Sequence, residues 1–313
     1  MTKLKPKNLL FLTGGSGLVG SNILEHPMSD NWHIIAPRKK ELDLREPDEI
    51  KKWLYKYKPD LIVHAAGLVG GIKVNSEYPI DFLDTNLTIG RNIVMSAKSC
   101  KIKKLLNLGS SCMYPTTVPN PLTENSLLKG PLEPTNEGYA IAKLVVTKLC
   151  QYINSAEPQY QYKTLIPCNL YGRHDKFGAE NAHLIPAIIN KIHHAHKNRE
   201  KVVCIWGDGT VRREFLYAGD LADAILHAAN DLIKLPSIMN IGTGIDHTVS
   251  DYYKITAQIF GWDGNFTYDK SKPSGMSRKL NDISLQEQWG WKPKTSIYKG
   301  IETTIKFFKE NEV

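Results

Sequence analysis

No run of about 18 apolar residues occurs in this chain, so no membrane-spanning helix is expected. The first apolar stretch, Asn8 to Thr13, is too short for the core of an export signal and runs straight into glycines. It reads as a buried strand, and the expected location is the cytoplasm. Cysteine is scarce. Cys100, Cys112, Cys150, Cys168 and Cys204 are odd in number, far apart and without a CxxC spacing, which argues against a disulfide framework or a zinc site. Four of them read as small apolar fillers. The chain also lacks a concentrated basic element. Its net charge is +8, but the lysines and arginines are scattered, from Lys3, Lys5 and Lys7 through Arg38, Lys39 and Lys40 to Lys191 and Lys201. A nucleic-acid partner is therefore not expected, and the bias favours phosphate-bearing small molecules. His193, His194 and His196 lie in a polar helical stretch and read as a solvated face; no metal site is expected. Tandem repeats and low-complexity linkers are absent.

What is present is a rhythm. Short apolar runs at Leu9 to Thr13, Ile34 to Ala36, Leu61 to His64, Leu105 to Leu108 and Thr164 to Ile166 alternate with helical patterns near 18–26, 47–57, 80–99 and 136–153. Strand and helix in alternation predict a doubly wound α/β fold, with a parallel sheet covered on both faces. After about residue 170 the loops lengthen, and Gly, Pro and Trp cluster. The reading is a nucleotide-binding domain over 1–170, with a return of the chain over about 217–245 that includes Ile238 to Ile241. A smaller α/β substrate-binding domain takes 171–216 and 246–313.

Gly14, Gly17 and Gly20 stand between the first strand and the first helix. That context fits a phosphate-binding turn. The turn needs positive φ, the backbone must approach a pyrophosphate, and the amides of Leu18 and Val19 at the helix start attract anions. An acid at the end of the second strand would bind a ribose 2′-hydroxyl; the chain has Pro37-Arg38-Lys39-Lys40 there instead. Arg38 suits a 2′-phosphate, so NADPH is expected rather than NADH. Asp43 is expected near the adenine, and Ala65 and Ala66 offer small side chains where the cofactor passes.

Tyr139 and Lys143 are four residues apart and share a helix face. A neighbouring ammonium favours phenolate, so the pair is expected to move a proton near neutral pH. Ser110 follows the fourth strand, whose end faces the crevice of a doubly wound sheet.

The GxxGxxG spacing, followed by Ser110, Tyr139 and Lys143 in that order, resembles the short-chain dehydrogenase/reductase family. A narrower resemblance covers nearly the whole chain. Leu68-Val69-Gly70-Gly71-Ile72, Gly109-Ser110-Ser111-Cys112-Met113-Tyr114-Pro115, Leu132 to Tyr139, Asn169-Leu170-Tyr171-Gly172 and Arg213-Glu214-Phe215-Leu216 are similar to GDP-L-fucose synthases. The resemblance implies a homodimeric enzyme that epimerises C3 and C5 of a GDP-linked 4-keto-6-deoxy sugar and reduces C4 with NADPH. Tyr139 is then the proton donor, Ser110 steadies the oxygen, and Lys143 tunes Tyr139 and holds the nicotinamide ribose. Cys112 and His183 become the epimerisation pair, with His183 also beside the cofactor. Asn169, Arg213, Lys279 and Trp206 become substrate contacts, Arg213 and Lys279 near the diphosphate.

Three segments depart from the family pattern: Lys272 to Lys279, Gly219-Asp220, and Lys176 to Glu180. They leave the identity of the sugar open, hexose or heptose. A reductase that acts only at C4, on a sugar epimerised by another enzyme, is the rival reading. Ser111-Cys112 stands where a 4,6-dehydratase would carry Asp-Glu, and Arg38 argues against a 4-epimerase that retains NAD. A catalytically silent NADP sensor would be expected to have lost Tyr139 or Lys143.

Overall fold

The computed structural model describes residues 7–178, 182–271 and 276–311. The chain opens as β1 (Leu9–Thr13), α1 (Leu18–Leu24), β2 (His33–Ile35), α2 (Pro47–Tyr57), β3 (Leu61–His64), α3 (Ile72–Glu77), α4 (Pro79–Ser99), β4 (Lys104–Leu108), α5 (Glu137–Ala156) and β5 (Gln161–Pro167). It continues through β6 (Asn169–Tyr171), α6 (Leu184–Lys197), β7 (Val202–Trp206), β8 (Arg212–Tyr217) and α7 (Ala218–Asn230) to β9 (Ile238–Ile241). The last elements are β10 (Asp246–Thr248), α8 (Val249–Phe260), β11 (Asn265–Asp269), β12 (Arg278–Lys279), α9 (Ser284–Trp289) and α10 (Ile297–Glu310).

Six parallel strands form the main sheet in the order β2-β1-β3-β4-β5-β9. Every residue of β3 and β9 is buried. Successive side chains of a strand point to opposite faces, so such strands need cover on both sides. Leu10, Leu12, Leu61 and Val63 pack with Leu221 and Ile225 of α7. Phe11, Ile62 and Leu105 pack on the other face with Leu54 of α2, Ile93 of α4 and Val146 of α5. The last two helices lie very close. A Cβ built on Gly90 would stand 2.5 Å from Val146 Cγ2, so a side chain there would force α4 and α5 apart.

The strand order turns back at β1, whose neighbours are β2 on one side and β3 on the other. The carboxyl ends of β1 and β3 therefore border the crevice where a doubly wound sheet takes its ligand.

A second set of strands surrounds β8, which pairs antiparallel with β10 and parallel with β6 and β12; β7 and β11 form a separate parallel pair. Ile185, Ile188 and Ile192 of α6 pack there with Tyr252 and Phe260 of α8 and Ile301 and Ile305 of α10. Asp220 ties two parts of this region together. Its carboxylate accepts the Lys294 and Thr295 amides and the Thr295 hydroxyl at 2.8–3.1 Å, which fastens the lead-in of α10 to α7. Trp291 Nε1 donates to Asp223 at 2.7 Å and adds a second fastening. Among the described residues, no helix is long and apolar enough to cross a membrane.

Candidate active site

The glycine turn after β1 is shaped by close approach. Gly14 has φ +74°, and a Cβ on it would lie 2.7 Å from the Ala66 amide nitrogen. Only glycine fits both demands, so the ends of β1 and β3 meet with little between them. Thr13 Oγ1 lies 2.8 Å from His64 Nδ1 and accepts the Ala66 amide at 3.3 Å, tying the same two strand ends together. Burial, helped by the nearby Lys143, holds the His64 imidazole down at about 3, so it stays neutral. Gly17 is the N-cap of α1 and puts no side chain over the amides of Leu18 and Val19.

Arg38 is exposed just beyond β2, and its backbone amide donates to Glu41 at 2.7 Å. Asp43 is engaged by Arg45, whose Nε and Nη2 donate to both carboxylate oxygens at 2.5–3.1 Å. These hydrogen bonds hold the Asp43 carboxyl at about 2. An exposed guanidinium at the strand end, uncapped amides and an alanine-floored crevice fit a dinucleotide carrying a 2′-phosphate.

Ser110 follows β4 and caps the short turn Ser111–Met113, its hydroxyl accepting the Cys112 amide at 3.2 Å. The same hydroxyl lies near the Tyr139 phenol and acts to lower its pKa. Lys143, one turn along α5, is 7% exposed, and its Nζ donates to Leu108 O at 2.9 Å. Ser110, Cys112, Tyr139 and Lys143 thus gather at the end of β4. One expectation is corrected here. A neighbouring ammonium was expected to pull Tyr139 down, but burial and the Cys112 sulfur push the phenol above its ordinary value, against a lowering by Ser110. Desolvation is the largest of these influences. The Lys143 ammonium stands 5.8 Å from the ring centroid, and burial brings it down from 10.5 to about 8.

On the other side of Cys112, Lys279 of β12 donates to Sγ at 3.8 Å and is 7% exposed. Arg213 of β8 donates through Nη1 to Arg212 O at 2.8 Å. Burial lowers it, while Cys112, Glu133 and Tyr252 act in the opposite sense. Glu133, 8% exposed and bonded to the Thr135 hydroxyl, is a member of this group that sequence reading passed over, although it lies inside the Leu132 to Tyr139 motif.

His183 caps the start of α6, and burial followed by the Lys176 charge lowers its imidazole. It is linked to the cluster by the Leu68 to Ile72 loop. A Cβ on Gly67 would lie 3.8 Å from Lys143 Nζ, and one on Gly71 would lie 3.2 Å from Ala182 O. Asn169 Nδ2 donates to Glu214 O at 2.9 Å. Trp206 ends β7 in the separate two-stranded sheet, 56% exposed, with Lys191 Nζ 5.2 Å from its ring. Residues Lys272 to Gly275, and Ala179 to Asn181, fall outside the described residues and take parts of two departing segments with them. His193 and His196 pack on Phe260 at 5.8 and 6.3 Å.

The model of the NAD dependent epimerase/dehydratase family matches residues 10–242. The chain belongs to that family. Within it, the chain is a member of the GDP-L-fucose synthase branch. It is 50% identical over 299 residues to a GDP-L-colitose synthase of Yersinia pseudotuberculosis, covering 96% of this chain and 97% of that one. It is 46% identical over 304 residues to a GDP-L-fucose synthase of Azorhizobium caulinodans, covering 97% of each. Among solved structures, a GDP-mannoheptose C4 reductase from Campylobacter jejuni with NADP bound superposes with a TM-score of 0.87 at 29% identity, over 98% of this chain and 99% of that one. The family match spans the whole parallel sheet, and the fuller-length relatives also include β10 to α10.

Proposed function

We propose that this family member reduces the C4 ketone of a GDP-linked 4-keto-6-deoxy sugar with NADPH, after inverting C3 and C5. The observation that carries the reading is the position of Ser110, whose hydroxyl accepts the Cys112 amide and lies near enough to the Tyr139 phenol to favour its ionised form. One hydroxyl joins the reducing pair to the thiol expected to handle ring protons. The crevice between β1 and β3 is the cofactor site, with Gly14, Gly17, Leu18, Val19, Ala65 and Ala66 along the pyrophosphate path. Arg38 meets the 2′-phosphate, and Asp43 faces the adenine. Bound there, NADPH supplies the hydride.

The chain's residues supply everything else. Tyr139 gives its proton to the C4 oxygen. Burial keeps the phenol protonated until negative charge develops on that oxygen, which is the state a proton donor needs. Ser110 donates to the same oxygen, and Lys143 holds the nicotinamide ribose beside Tyr139. The C4 ketone acidifies the C–H bonds at C3 and C5. Cys112 removes a ring proton and His183, which also lies beside the nicotinamide, returns one on the opposite face. Arg213 pairs with the diphosphate, while Asn169 and Trp206 bind the rest of the GDP-sugar.

Residues 1–170 and about 217–245 then form the cofactor half, and 171–216 with 246–313 the substrate half. The enzyme is taken as a cytoplasmic homodimer joined through α4 and α5. Ile80 and Met95 on α4, and Ile141, Val145 and Tyr152 on α5, are exposed at spacings that place them on one outer face of each helix.

Two features favour neighbouring readings. The 50% relative is named for colitose, which lacks the 3-hydroxyl of fucose, so a 3-deoxy ketosugar is a second substrate to test. The likeness to a C4 reductase supports reduction without epimerisation. NMR of the products formed from each ketosugar in deuterated water separates them. Turnover of neither sugar with NADPH would overturn the proposal.

A further inference from the structure

We infer that Lys279 is a positioning residue for Cys112, holding its sulfur as the proton acceptor of the epimerisation half-reaction. This rests on the epimerase reading above and deepens it. It also gives Lys279 a different task from the diphosphate contact that family resemblance implies.

The register of the small sheet aims the side chain. Arg278 pairs with Arg212 and Lys279 with Arg213 across β12 and β8. Alternation then splits the four cations between two faces. Arg212 and Arg278 both hold Asp246, at 2.8 and 2.5 Å. Lys279 and Arg213 turn the other way, towards Cys112. The backbone on either side of Lys279 is fixed: before it Arg212 N donates to Ser277 O at 2.9 Å, and after it Leu280 N donates to Asn120 Oδ1 at 2.8 Å, Leu122 N to Leu280 O at 2.7 Å and Asn281 N to Glu214 Oε2 at 2.8 Å. A stem anchored on both sides delivers its ammonium to one place, the Cys112 sulfur 167 residues away in sequence.

Chemistry gives that contact its use. A buried ammonium is costly unless an anion meets it. The groups facing the sulfur are Tyr139 from α5, Arg213 from β8 and Lys279 from β12, with Glu133 beside Arg213. Lys279 is the one that hydrogen-bonds it directly among the contacts described. The contact fixes where the sulfur sits and sets a cation beside it. In the step itself the ring C–H bond breaks, its electron pair passes into the enolate of the C4 ketone, and the proton ends on Sγ. Lys279 stays charged throughout, and the thiol later loses its proton to solvent.

The test is the rate of iodoacetamide alkylation of Cys112 at pH 7 in the full-length protein, read by mass spectrometry on the Cys112 peptide because Cys204 is more exposed than the half-buried Cys112. Lys279→Met and Lys279→Gln should slow alkylation at pH 7 by about 10-fold or more. Lys279→Arg should retain most of the wild-type rate. Solvent deuterium entry into the sugar ring should fall in step with alkylation. NADPH binding reports whether each variant is folded. Wild-type alkylation rates in both neutral variants, with only a raised KM for the GDP-sugar, would make Lys279 a diphosphate ligand and overturn the inference. A Lys279-dependent rate in an enzyme that never exchanges ring protons would support the lysine–sulfur pairing and sink the epimerase reading instead.

Discussion

Lys143→Met should stabilise the cofactor-free protein while destroying its activity. Lys143 is 7% exposed, and burial lowers its ammonium from 10.5 to about 8. A shift of that size corresponds to ~3 kcal/mol of unfavourable charge burial at neutral pH. The lysine also donates to Leu108 O at 2.9 Å, and losing that bond costs about 1–2 kcal/mol. Methionine fills similar volume without a charge, so the net gain at pH 7 is about 1–2 kcal/mol. The pH dependence has a definite sign. Between about 8 and 10.5 the unfolded chain binds more protons than the folded one, so wild-type stability rises with pH through that window. The cost is fully present below pH 8 and gone above 10.5, so the advantage of the variant should shrink across the same range. Thermal unfolding of both proteins without cofactor, at pH 7 and again near pH 10, measures this. A variant less stable than wild type at pH 7, or an advantage that ignores pH, would refute the burial argument.

Tyr139→Phe should lower C4 reduction by about 100-fold or more while NADPH affinity stays close to wild type, because the hydroxyl acts on the developing alkoxide; single-turnover NADPH oxidation and cofactor titration check the two halves. Arg38→Ala should weaken NADPH binding by ~10-fold or more and leave NADH nearly untouched, since the lost partner is the 2′-phosphate; equal losses would remove Arg38 from that role. Val145→Glu, a charge on the exposed face of α5, should turn a dimer into a monomer by light scattering at micromolar concentration; a wild-type monomer would contradict the proposed interface.

Much of the fold was legible because the buried strands announce themselves. β1 and β3 fall where their apolar runs predict, and β2 is displaced by one residue, from Ile34–Ala36 to His33–Ile35. Helix ends moved more. α1 stops at Leu24 because Pro27 follows closely, and α5 runs on to Ala156. The small sheet was not legible. β10 and β12 are three and two residues long, too short for any periodicity, and their pairing with β8 is set by distant side chains. Glu214 is one of these: it collects amides from Thr243, Gly244 and Asn281. The site divides in the same way. Ser110, Tyr139 and Lys143 could be picked out because their order and spacing carry the chemistry. The upward push on Tyr139 could not, since sequence shows a neighbouring lysine but not how deeply the phenol is buried. Lys279 on Cys112 was hidden too, because strand register brings them together rather than proximity in the chain.

The central claim is tested most directly by NMR of the product made from GDP-4-keto-6-deoxy-mannose with NADPH in deuterated water. The account predicts an L-configured product carrying solvent deuterium at C3 and C5. The same assay with Cys112→Ser should show continued reduction and no ring deuterium. Efficient reduction by the wild-type enzyme with no deuterium at either carbon would contradict it, leaving a C4 reductase in which Cys112 and His183 line the pocket without moving protons.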